Sequence, residues 1–167
     1  MTWLQGLPEG DDDWERLGAL CPEVVEALAG VVAVASGDTD PVLFELARLR
    51  IATLLANTAE PSARVAELAD VGLTEAKALE LSNWVTSEAF TERERACLAL
   101  VEQFVIDAHA VTEAQVVAVT GHLGGPGCYA FVEAVSVLET FQRGCLTLGL
   151  RSVPSIETLI SAAPSPS

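Results

Sequence analysis

The chain has 167 residues, half of them apolar, with 24 acidic residues against nine basic ones and a formal net charge of −15. That length suits one domain with a substantial core. A field of that sign repels nucleic acid and anionic membranes, and no Lys/Arg cluster offsets it, so neither is expected as a partner.

The opening stretch MTWLQGLPEGDDDWERLG is acidic and lacks the basic-then-apolar order of a signal peptide. Residues 1–20 therefore read as an N-terminal arm. Pro22 opens a helix through PEVVEALAGVVAVAS that ends near Gly37. Its apolar run from Leu28 to Ala35 is too short to span a bilayer, so a cytoplasmic protein is expected. Asp40-Pro41 supplies an N-cap and first turn for a helix from Val42 to Asn57. Pro61 opens the next, closed by Gly72 in the position usual after a helix end.

Three further helix starts share the letters Thr-Glu. Thr74-Glu75 starts one running to about Trp84. Thr91 with Glu94 forms a capping box before RACLALVEQFVIDAH, and Thr112 with Gln115 forms another before VVAVTGHL. The last long helix is expected from about Gly127 to Leu148, followed by a C-terminal tail over 152–167 that holds a short turn of helix after Pro154 and ends in the frayed AAPSPS. No stretch alternates apolar and polar residues long enough for a strand. The expected fold is all-α, one domain of seven or eight helices with its core over 22–150.

Two helices carry polar residues that need explaining. On Val42–Asn57, steps of 100° place Glu45 among Val42, Leu49, Ala52 and Ala56, on a helix apolar nearly all round. A carboxylate there is costly unless paired, and Arg48 at i, i+3 is the local partner. On the last long helix Glu133, Ser136, Glu139, Thr140 and Arg143 form one stripe, either a solvated face or a ligand-facing one. Glu139 and Arg143 sit at i, i+4 in the favourable order.

The four cysteines, Cys21, Cys97, Cys128 and Cys145, include no CxxC pair and no zinc-type spacing. Cys97 and Cys145 fall inside apolar helical patterns and read as small core residues. Cys128 follows the glycine-rich GHLGGPG and has the open setting, with His122 six residues before it. His109 lies in a loop just before a helix cap. Two histidines in unrelated loops make no metal site, and no cofactor is expected.

The order of these motifs resembles the carboxymuconolactone decarboxylase / alkylhydroperoxidase D-like (AhpD-like) superfamily. The likeness covers roughly residues 22–150. It rests on ELARLRIA, on the block Trp84, Ser87, Phe90, Thr91, Arg93, Glu94, Arg95, Ala96, Leu98, on Asp107 and His109, and on Gln142-Arg143. The resemblance implies an all-helical protomer assembling into dimers, trimers or hexamers.

Peroxidase-type members carry CxxC at a helix start, a His four residues after the second Cys, and a Glu twelve residues before the first. Helix N-terminal amides lower a thiol's pKa, and the Glu and His move its protons. Here Glu45 is present, but Asn57 and Glu60 stand at the cysteine positions and Arg64 at the histidine. The resemblance then implies non-redox chemistry on a small molecule, of decarboxylase, isomerase or cyclase type. Glu45 and Glu60 would be the acid–base pair, and Asn57, Arg64, His109, His122 and Arg143 the substrate-binding groups. A non-catalytic oligomeric scaffold and an antioxidant working through Cys128 beside His122 are the alternatives.

Overall fold

The computed structural model describes residues 6, 10, 12–58, 67–152 and 155–161, and every regular element among them is helical. The first, α1 (Asp13–Leu20), lies within the expected arm. The acidic run of that arm supplies its cap: the Asp12 carboxylate accepts from the Glu15 backbone N–H at 2.8 Å. Trp14 then meets Phe141 edge-on, with ring centroids 5.4 Å apart.

Helix α2 spans Pro22–Gly37 and α3 spans Pro41–Leu54. Asp40 caps α3 as expected, accepting from Val42 N–H at 3.0 Å and Leu43 N–H at 3.1 Å. The helix stops short of Asn57. Asn57 N–H reaches back to the Ala52 carbonyl and Ala56 N–H to that of Thr53, with Ala56 left-handed at φ 53°. This is a Schellman closure with alanine where glycine is usual.

The helix expected from Pro61 falls largely on 59–66, outside the described residues. Gly72, at φ 116°, closes a 3-10 turn at Ala69–Val71. Thr74 caps α4 (Glu75–Leu79), which passes into a 3-10 turn over Glu80–Asn83 rather than continuing as one helix to Trp84. Both predicted capping boxes form, Thr91/Glu94 opening α5 (Glu92–Asp107) and Thr112/Gln115 opening α6 (Glu113–Leu148). The predicted break at GHLGGPG is a kink inside α6: Gly124, at φ 72° and ψ 170°, leaves helical geometry and the helix resumes at once. The last element is α7 (Ile156–Ser161).

Helix α3 is the centre. It packs against α5 and α6, which also pack against each other, while α2 covers α6 and is itself flanked by α1 and α7. Every residue from Val42 to Arg48 is buried, as an apolar-all-round helix requires. Phe44, Ile51, Val101, Phe131 and Leu138 belong to the main core. Leu46, Leu73, Trp84, Phe90 and Leu98 form a second cluster beneath the 68–90 segment. Full burial of side chains this size contributes about 1.5–3 kcal/mol each. Among the described residues, no single helix is long and apolar enough to cross a membrane.

Candidate functional site

Glu45 sits one turn into α3 with none of its surface exposed. Arg48, one turn further on and 1% exposed, folds back along the helix to meet it. The Arg48 Nε–H donates to Glu45 Oε2 at 2.9 Å, and Nη2 closes a second bond to Oε1. The two-pronged contact matches the planar guanidinium to the planar carboxylate. The i, i+3 pairing considered from the sequence is therefore made, in the interior.

A third polar group joins them from α6. Gln142, fully buried, donates from Nε2 to the Arg48 carbonyl at 2.9 Å, tying α6 to α3. Its other amide atom, Oε1, is buried and has no hydrogen-bond partner among the described residues. Gln142 entered the sequence reading only as part of the family motif. The signal that marks it is a polar residue in the apolar stripe Val135, Leu138, Gln142, Cys145 at core-facing spacing.

Asn57 is also buried, but at the far end of α3. It follows the end of the helix, its backbone N–H turned back onto the Ala52 carbonyl. Glu60 and Arg64 lie outside the described residues.

The same arrangement of helices occurs in the crystal structure of a protein of unknown function from Agrobacterium tumefaciens, described as a candidate antioxidant-defence protein, AhpD. The two superpose with a TM-score of 0.71 over 88% of this chain and 100% of that one, at 19% sequence identity. This chain has an AhpD-like fold. No protein-family model matches the sequence, and no curated protein does.

Within the AhpD-like fold the described thiols are mostly withdrawn from solvent. Cys97, Cys128 and Cys145 are buried and Cys21 is exposed. Burial pushes the Cys97 thiol up to about 12, with Arg93 opposing the rise and Asp40 and Glu94 adding to it. The open setting expected for Cys128 is not found. Because α6 resumes directly after Gly124, Cys128 falls on its core-facing side, whereas His122 remains exposed.

The remaining candidates lie on the surface of the AhpD-like bundle, apart from the buried Glu45. His109 is exposed in the 3-10 turn Ala108–Ala110, where its backbone N–H donates to Asp107 Oδ1 at 3.0 Å. Arg143 donates to Glu139 Oε1 at 2.9 and 2.7 Å and to the Val105 carbonyl at 3.3 Å. It thus stitches the end of α5 to α6 on a solvated face. Hollows along α2 include a groove of about 810 Å³ lined by Val31, Val34, Tyr129 and Glu133, and a cleft of about 330 Å³ walled by α1, α2 and α6. Neither is lined by Glu45 or Asn57. No cluster of three or more His, Cys, Asp or Glu suited to a metal occurs among the described residues.

Proposed function

We propose that this chain is an enzyme that moves a proton on a small organic molecule without thiol chemistry, with the Glu45 carboxylate as the acid–base group. The observation that carries this reading is Gln142 Oε1, a fully buried acceptor left open on the contact that also holds Arg48. An unmet buried acceptor costs about 1–3 kcal/mol, and a substrate hydroxyl or a water would relieve it. Arg48 fixes the direction in which the Glu45 oxygens point.

A carbon acid beside a carbonyl would give its proton to Glu45 and take it back at another carbon, which is isomerisation. Loss of carbon dioxide from the same enolate-forming position would be decarboxylation. From the family resemblance, Glu60 serves as the second carboxylate, Asn57 as donor to a developing oxyanion and Arg64 as the anion clamp. Lactones, unsaturated acids and polyketide-like molecules suit that set. The test is proton exchange: such compounds incubated with the protein in D₂O should gain deuterium next to the carbonyl. Gln142→Met, which keeps the core filled but removes the open acceptor together with the bond to the Arg48 carbonyl, should cut the rate about tenfold or more while the protein stays folded. No exchange with any compound by the wild type would sink the proposal.

A second reading, an oligomeric scaffold, draws on the exposed aliphatic face of α2, where Val24, Val31 and Val34 are each at least half exposed. Light scattering that finds a stable oligomer, together with an empty substrate screen, would favour it. An antioxidant role would instead show as peroxide consumption abolished by replacing all four cysteines.

A further inference from the structure

Gly144 stands in the interior of α6, where glycine is a poor helix former. Its backbone is helical, so no turn requires it. A Cβ built there meets nothing within 4 Å. What the missing side chain leaves open is the cleft of about 330 Å³ between α1, α2 and α6.

The cleft is walled by Trp14, Leu17, Val25, Leu28, Phe141 and Leu148. Thr140 contributes a hydroxyl, Cys21 and Cys145 contribute thiols, and no charged side chain lines it among the described residues. An apolar cavity of about 150 Å³ holds a benzene ring, so this one takes roughly twice that: two fused rings, or a chain of about ten carbons. The overall charge of −15, with no Lys or Arg in the wall, disfavours an anionic head group.

We infer that this cleft is a binding site for a small neutral apolar molecule of about ten carbons, with any single hydroxyl placed at Thr140. The site is separate from Glu45 and does not depend on the proton-transfer reading. Gly144 acts as its size gate, since any larger residue projects into the space the ligand would fill.

Cys21 gives the site its own reporter, because it lines the cleft and is exposed while the other three cysteines are buried. Iodoacetamide labelling of Cys21 should slow about fivefold or more when 1-naphthalenemethanol saturates the cleft. Among straight-chain alcohols, protection should peak near decanol and weaken for both hexanol and hexadecanol. Gly144→Leu should keep its helix content, melt no lower than wild type, and raise the dissociation constant about tenfold or more. The inference is overturned if no alcohol protects Cys21, or if protection climbs steadily through hexadecanol as non-specific adsorption does. Equal binding by the folded Gly144→Leu variant also overturns it. So does Cys21 labelling that slows with protein concentration alone, which would mean that a second copy covers the cleft.

Discussion

Arg48 bends back one turn of α3 to hold both carboxylate oxygens of Glu45 in the interior, where neither side chain reaches water. Burying two charges is unfavourable, and their attraction repays it only while both are present. The relationship accounts for how a carboxylate can sit on a helix that is apolar nearly all round.

Glu45→Gln should therefore destabilise strongly, by about 3–5 kcal/mol, since it removes the charge that faces two N–H groups of the buried Arg48 guanidinium. Replacing both residues by methionine should recover much of that loss. Urea unfolding of the two single variants and the double variant checks this. A Glu45→Gln protein as stable as wild type would show that the pair contributes little.

The Cys97 thiol predicts an alkaline signature. Its folded pKa of about 12 lies above the ordinary thiol value of 9.0, so it is neutral and unreactive at physiological pH. Between pH 9 and 12 the unfolded chain sheds this proton while the folded one keeps it. Stability is thus fully present below 9 and declines by about 1.4 kcal/mol per pH unit as pH rises towards 12. The stability difference between wild type and Cys97→Ala should shrink over that window. A difference that stays flat would mean that Cys97 titrates normally.

Ala56 at φ 53° predicts a gain rather than a loss. An L-residue in the left-handed region costs about 1–2 kcal/mol, and glycine avoids that at some entropic expense in the unfolded chain. Ala56→Gly should raise stability by about 0.5–1 kcal/mol, measured by thermal or urea unfolding. A drop in the melting temperature would mean that the chain after α3 takes a different path.

Arg95 holds the turn before α5. Its guanidinium donates to the carbonyls of Trp84 at 2.6 Å and Val85 at 2.8 Å, and also to that of Ser87. Three acceptors spread around a planar fork are not matched by an ammonium group. Arg95→Lys should lose about 2 kcal/mol, nearly as much as Arg95→Ala, and amide hydrogen exchange should speed up over 84–90. Full rescue by lysine would show that charge alone suffices.

What the sequence made legible is mostly what is local. Asp40, the Thr91/Glu94 and Thr112/Gln115 boxes, and Gly72 all act through backbone groups within a few residues, so their letters carry the geometry. Glu45 stood out for the same reason, as one carboxylate on an apolar helix with a partner one turn away. Gln142 did not, because its meaning depends on the backbone of Arg48, 94 residues earlier, lying against α6. Cys128 misled for a subtler reason. A glycine-rich segment reads as an open loop, but a single non-helical residue at Gly124 suffices to reset the helix and turn Cys128 inward.

Eight of the nine basic residues are arginine, so the chain has one ε-amine, that of Lys77. It is occupied: Nζ donates to Glu94 Oε1 at 2.8 Å and lies 5.8 Å from the centre of the Phe90 ring. The other oxygen of Glu94 closes the capping box on Thr91. Any acylating reagent that reaches this amine must first find it parted from the Glu94 carboxylate. The rate at which Lys77 is acylated is therefore a clock for the breaking of the contact between α4 and the start of α5, readable in a mixture by mass spectrometry without a designed label.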